Sequence, residues 1–334
     1  MSPSRDREPS TAAVGLALLI VYVVWGSTYL AIAVMIETLP PLLAAGVRFL
    51  VAGLLVLGAL AAHARLRRRP LERPRLVHWR SAAIIGALLL LGGNGGVVLA
   101  ELRIPSGVAA VLVATTPIWM AVFDAIITRR RPSGLVVAGI VAGLIGVAVL
   151  LAPVEGFGQL DPVGVFLVLV AEIAWASGSI YARHAPLPRS GLLLTGMEMV
   201  AGGAALLLVG AFLGELAQAD VDAFSLRSLL AVGYLIVFGS IVAFTAYTWL
   251  LANTSVAIVA THAYVNPVVA VALGAILLSE PITPRTIIAS AIIVAAVAAM
   301  VTGRPQAVEE VAPDPEVVAR TDPDGTERAR QGSG

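Results

Sequence analysis

The chain has no cysteine and no lysine. Without cysteine it forms no disulfide, presents no thiol nucleophile and ligates no zinc through sulfur. Without lysine, all 22 basic residues are arginine, which we read as coding bias rather than chemistry. Charge of either sign is scarce. Only 13% of the 334 residues are charged and 58% are hydrophobic, whereas a soluble domain carries roughly a quarter charged residues. The arginines are not interleaved with aromatics, which argues against a nucleic-acid surface. Motifs of membrane-embedded hydrolases are also missing. There is no HExxH, no GxSG serine motif and no pair of intramembrane aspartates. No catalytic residue, metal or cofactor is therefore expected.

What is present is apolar length. Runs near 20 residues recur along the chain, long enough to cross about 30 Å of hydrocarbon. They cover 12–34, 41–62, 81–100, 106–128, 133–152, 161–184, 190–212, 226–251, 254–278 and 284–303, ten in all. Arg5 and Arg7 before the first run mimic a signal peptide, and Ala31-Ile32-Ala33 resembles a cleavage site. The run is too long for a signal-peptide core, so it reads as a retained first helix.

The runs form a repeat. Trp25 and Trp175 lie 150 positions apart, as do Pro117 and Pro267, Ser27 and Ser177, Gly46 and Gly196, and Gly53 and Gly203. Coincidences of Trp and Pro are informative in so apolar a chain. With the N-terminus inside, 18 of the 22 arginines fall on the cytoplasmic side. Only Arg103, Arg227 and Arg285 fall outside, and Arg48 lies within a helix. The positive-inside rule then places both termini in the cytoplasm. Five helices per repeat is an odd number, so the second repeat enters from the opposite side and the repeats are inverted. The expected organisation is a cytoplasmic tail 1–11, a five-helix repeat 12–152, a second repeat 161–303, and a disordered cytoplasmic tail 304–334 rich in Pro, Asp, Glu, Arg and Gly. The Arg-rich 63–80 loop reads as a topology determinant in contact with anionic lipid. Asp161-Pro162 and Thr283-Pro284 read as helix starts. Gly139 and Gly143 form a small-residue face for packing within the chain or in a homodimer.

A charge at the centre of a membrane helix costs about 2.5–3.5 kcal/mol, so each one needs a reason. Glu172 lies near the midplane, one turn from Trp175; its counterpart in the first repeat is Tyr22. It is expected either to bind a substrate amine or carry a proton, or to bond a neighbouring helix as a structural acid. Arg48 and Glu198 are repeat partners, yet inversion sets them roughly 10 Å apart in height, too far for an ion pair. Each is expected to line its own half of a cavity or to bond helix-end carbonyls. Pro117 and Pro267 fall in mid-span and free the carbonyls of Val113 and Ala263. Such backbone is tolerated only where it is buried in protein or lines a wet cavity. His262 lies one turn from Asn266 and reads as a packing residue or a proton relay. Gly92, Gly93, Gly95 and Gly96 around Asn94 thin the third helix for a close crossing or gate. Glu101 and Asp124 sit near helix ends, where charge costs little.

Trp25-Gly26-Ser27-Thr28-Tyr29-Leu30-Ala31, Ala45-Gly46-Val47-Arg48-Phe49, Asn94-Gly95-Gly96, Ser106-Gly107-Val108-Ala109-Ala110, Thr116-Pro117, Trp175-Ala176-Ser177-Gly178-Ser179 and Tyr264-Val265-Asn266-Pro267 together resemble the EamA-type family of drug/metabolite transporters. The resemblance covers 12–303. It implies an all-α membrane protein of ten helices in two inverted repeats, with a central cavity between helices one to four and six to nine. It implies secondary transport, usually export of metabolites, amino acids or drug-like compounds across the inner membrane. The cavity residues it implies are Trp25, Tyr29, Asn94, Trp175, Ser179, Tyr264 and Asn266. One departure is Ala33, where family members often carry Lys or Arg. The expected function is alternating-access export of a small molecule, with Glu172 as the candidate for proton coupling. A channel would instead show a ring of like residues or a carbonyl filter, and a membrane enzyme would hydrolyse its substrate.

Overall fold

A computed structural model describes residues 10–68, 70–104, 109, 112–151, 161–269 and 284–302. The tail 304–334, most of the 1–11 segment, Thr283, and all of the 106–110 motif but Ala109 lie outside the described residues. Every regular element among the described residues is helical. Among the described residues, six helices are long and apolar enough to cross a membrane: α1 (Thr11–Met35), α2 (Pro41–Leu66), α3 (Leu76–Glu101), α6 (Pro162–His184), α7 (Gly191–Phe212) and α8 (Leu226–Asn253). Four apolar helices have shorter qualifying stretches: α4 (Thr116–Thr128), α5 (Gly134–Leu151), α9 (Val256–Val269) and α10 (Pro284–Thr302). Leu16, Leu19, Leu54, Leu55, Phe166 and Leu208 are exposed along these helices, the side-chain pattern of a lipid-facing surface.

Polar side chains set the helix starts, because the first N–H groups of a helix have no partner within it. The Ser10 hydroxyl accepts from Ala13 N, Asp161 from Val163 N and Ser190 from Leu193 N. Two further caps come from distant loops. Glu215, in a single turn Glu215–Gln218, accepts from Leu42 N and Leu43 N at 3.1 and 2.8 Å at the start of α2. Glu72, in the loop after α2, accepts from Arg189 N and Ser190 N at 2.9 and 3.0 Å at the start of α7. The loop that follows each of these helices thus caps the other. The Arg189 amide in particular holds the Glu72 carboxyl below its ordinary value of 4.5.

Between those caps α2 and α7 pack with almost no side chain between them. A Cβ added at Gly203 would lie 2.5 Å from Leu50 N, and one at Gly53 would lie 2.8 Å from the Gly196 carbonyl. The paired glycines at offset 150 therefore mark one crossing of the two repeats. Gly139 and Gly143 face Met300 and the Tyr264 ring, so this small-residue face is used within the chain.

Four local departures from a plain helix bundle follow the sequence. α3 widens into π-helical turns over Ala87–Gly95, and α8 does so over Leu235–Val242. Shifted by 150, the first segment overlaps the second. The helix is interrupted at Ala114-Thr115, just before α4, so Pro117 stands in the first turn of a new helix, not in mid-helix as expected. Proline fits there because a first-turn N–H has no partner to lose. α9 turns at Thr261, six residues before Pro267.

Candidate functional site

Seven helices converge on a cavity of about 80 Å³ lined by residues of α1, α2, α3, α6, α8 and α9 and by Val113 and Thr116 at the break before α4. Trp25 and Trp175 meet edge to face, with ring centroids 5.4 Å apart. Their indole nitrogens are held in place: Trp25 Nε1 donates to the Gly239 carbonyl at 3.1 Å and Trp175 Nε1 to Tyr247 Oη at 2.8 Å. Gly239 belongs to the π-helical turn of α8, a local geometry often found at functional positions. Tyr247 packs against both Trp25 and His262, with ring centroids 4.9 and 5.5 Å away, and Trp25 and His262 themselves meet at 5.2 Å. Of these four clustered rings, Trp25, Trp175 and His262 line the cavity.

The break before α4 carries the acid. Thr116 Oγ1 lies 2.5 Å from the Val113 carbonyl and also bonds Glu172 Oε2. Glu172 is 4% exposed. A hydroxyl has one hydrogen to give and a carbonyl can only accept. Ionised Glu172 takes that hydrogen from Thr116; protonated Glu172 returns one and frees Thr116 to satisfy Val113. The Val113 carbonyl at this break is thereby tied to the protonation of Glu172. A parallel chain crosses the other repeat. Tyr22 Oη bonds Thr261 Oγ1, which donates to the Ile258 carbonyl at 2.5 Å.

Of the seven expected cavity residues, Trp25, Tyr29, Asn94, Trp175 and Asn266 line the cavity. Ser179 and Tyr264 do not. Ser179 is buried one turn past Trp175, bonded to Tyr247 Oη at 2.6 Å. Tyr264 lies two residues, about 200° of helix, from His262, and its hydroxyl donates to the Ile140 carbonyl on α5 at 3.1 Å. Asn266, oriented by its partners, donates to the carbonyls of His262 and Tyr22 at 3.0 and 3.3 Å. His262 Nδ1 donates to Val259 O at 2.7 Å, leaving Nε2 as the free nitrogen. Arg48 lines the cavity and Glu198 does not. Among the described residues no ion pair joins them. Glu198 is fully buried and neither carboxylate oxygen has a partner, so it bonds no helix-end carbonyl. Thr28, Phe244 and Tyr247 were not foreseen. Their only sequence signal was a hydroxyl or ring within an apolar run.

Three cavity pairs obey the 150-residue offset: Trp25 with Trp175, Asn94 with Phe244, and Thr116 with Asn266. The remaining lining residues have no lining partner. Tyr29, Ile32 and Val97 line the cavity while Ser179, Ala182 and Tyr247 do not, and Glu172, Gly239 and His262 line it while Tyr22, Leu89 and Leu112 do not.

Residues 13–152 and 162–302 each match the model of the EamA-like transporter family. The chain belongs to the EamA-like transporter family. This EamA-like chain is 42% identical over 291 residues to the "Uncharacterized inner membrane transporter YedA" of Escherichia coli strain K12, covering 86% of this chain and 90% of that one. It is 26% identical to the "Uncharacterized transporter YvbV" of Bacillus subtilis, covering 80% and 85%. It is 25% identical to a "Probable amino-acid metabolite efflux pump" of Salmonella typhimurium, covering 84% and 92%. A protein of known crystal structure superposes with TM-score 0.69 at 22% identity, over 87% of this chain and 96% of that one, which speaks to the fold alone. The EamA-like chain is a multi-pass inner-membrane transporter of a small molecule.

Proposed function

We propose that this EamA-like transporter exports small metabolites by alternating access through ten membrane helices, in inverted repeats 12–152 and 161–303 with cytoplasmic termini. It belongs to neither the channel nor the enzyme class. The observation that carries the reading is the uneven cavity between repeat partners. Trp25–Trp175 and Thr116–Asn266 mark its centre, and along α1 the lining extends from Trp25 only toward the C-terminal end, through Tyr29 to Ile32, while their repeat partners Ser179 and Ala182 on α6 are left out. The arginine distribution makes that end of α1 external. The Trp25–Trp175 pair then lies on the cytoplasmic side of this stretch, and the opposite state exchanges the roles of the two repeats. The name of the Salmonella relative adds amino-acid metabolites as a substrate class.

Proton coupling resides in Glu172 and Thr116. Protonation of Glu172 redirects the Thr116 hydrogen to the carbonyl at the α4 break, so a proton reaching the cavity changes the bonding of a discontinuous helix. The substrate is found by comparing compounds exported by cells with and without the protein at two external pH values. In proteoliposomes loaded with that substrate, Glu172→Gln should abolish pH-gradient-driven flux and retain substrate exchange. Gradient-driven flux undiminished in Glu172→Gln removes the coupling. Currents through single open pores would replace the transporter reading with a channel.

A further inference from the structure

Among the described residues, Arg48 is the one arginine lining the cavity. It is 2% exposed and stands two turns into α2. A guanidinium does not shed its proton in a protein, so the charge is permanent. Its surroundings position it without neutralising it. Nε donates to Ser240 Oγ at 2.9 Å. Nη2 rests against Gly239, where an added Cβ would lie only 3.0 Å away. Nη1 has no hydrogen-bond partner. No carboxylate among the described residues pairs with it. Its repeat partner Glu198 does not reach the cavity, and Glu172, which shares the cavity, is bonded to Thr116. The serine of the α8 π-helical turn holds Nε, the glycine leaves room for Nη2, and Nη1 is left without a partner.

A buried, fixed, unpaired guanidinium on a substrate path calls for an anion that arrives with the substrate. We propose that Arg48 is the anion subsite of this transporter, taking a carboxylate of the transported compound on Nη1. The assignment rests on reading the cavity as the substrate site. It narrows that reading to compounds bearing a carboxylate, with the remainder of the molecule against Trp25 and Trp175. Ser240 and Gly239 act as positioning residues for the fork. The Ser240 hydroxyl fixes its plane, and the missing side chain at position 239 gives it room.

The test uses purified full-length protein in chloride-free buffer, so that no halide competes for the nitrogen. Calorimetry measures binding of matched acids and primary amides: butyrate and butyramide, benzoate and benzamide, phenylacetate and phenylacetamide, indole-3-acetate and indole-3-acetamide. Within a pair only the charge differs appreciably. At least one acid should bind about tenfold or more tightly than its amide, as a charge-assisted bond requires. Arg48→Gln should close that gap, and Arg48→Lys, which keeps the charge without the fork, should narrow it. Equal affinities of acid and amide in the wild type, with both lost in Trp25→Ala, overturn the Arg48 assignment and leave the cavity reading standing. A gap that persists in Arg48→Gln also overturns the assignment. Binding of no compound to the wild type overturns both. The wild-type ratio needs no variant, so the proposal stays exposed even where Arg48→Gln fails to fold.

Discussion

At the α2–α7 crossing the two halves of the chain are interchangeable, and at the cavity they are not. Gly46 and Gly53 meet α7 as Gly196 and Gly203 meet α2. Glu215 caps α2 as Glu72 caps α7. Around the cavity the same repeat supplies Tyr22 in one half and Glu172 in the other, each bonded to a threonine at a helix break. Tyrosine keeps its proton at ordinary pH, so the Tyr22–Thr261–Ile258 chain is always complete. Glutamate can lose its proton, so the Glu172–Thr116–Val113 chain has two states. Symmetry fixes where the helices go, and the departure from it supplies a site able to respond to a proton.

The symmetric part is the easiest to break. A side chain at Gly53 or Gly203 meets backbone atoms, which cannot turn aside as a flexible side chain would. Gly53→Val and Gly203→Val should each cost about 3 kcal/mol or more, at the upper end of overpacking effects. Gly58→Ala, with nothing within 4 Å of its added Cβ, should stay within about 0.5 kcal/mol. Thermal unfolding of the three purified variants measures this. Similar midpoints for Gly53→Val and Gly58→Ala would mean that the crossing is not a tight joint.

The repeat, the apolar runs and the glycine pairs were legible before any coordinates, because each is a pattern of side-chain type against position. Helix interruptions were only partly legible. Pro117 announced a break, but the break falls at Ala114-Thr115 because proline prefers the first turn to the middle. Ser179 and Tyr264 were misplaced for different reasons. Tyr264 faces α5 by helical phase, and Ser179 is covered by Tyr247 from α8. The second is a tertiary fact with no local signal. The exchanged caps were hidden in the same way. Glu72 sits in an Arg-rich loop that reads as a topology signal, and its partners are 117 and 118 positions away.

Those caps are the next place to compare the halves. Glu72→Ala leaves the Arg189 and Ser190 amides at the entry to α7, and Glu215→Ala the Leu42 and Leu43 amides of α2, without their acceptor; each should cost about 1–2 kcal/mol. The pH dependence of the Glu72 term follows from its sign. Its folded-state carboxyl is held below the ordinary 4.5 by the Arg189 amide, so the stabilisation is present above that value and is lost as pH falls through the lower folded-state value. Wild type and Glu72→Ala should therefore differ in melting temperature at neutral pH and converge in acid. A gap that does not shrink on acidification would mean that the carboxylate charge is not what holds the start of α7.

The smallest effect separates the two hydroxyl chains most sharply. Tyr22→Phe removes one oxygen and leaves Thr261 still donating to Ile258, so no buried carbonyl is orphaned. The stability cost should be that of one net hydrogen bond, about 0.5–1.5 kcal/mol. It should be the same at every pH between acid and neutral, because no group in that chain changes charge there. Gradient-driven flux should survive Tyr22→Phe, in contrast to Glu172→Gln at the equivalent position of the second repeat. If Tyr22→Phe uncouples transport as Glu172→Gln is expected to, both chains gate their breaks alike. The proton would then have to act through a feature that the two repeats share, and the carboxylate that only one of them carries would lose its special standing.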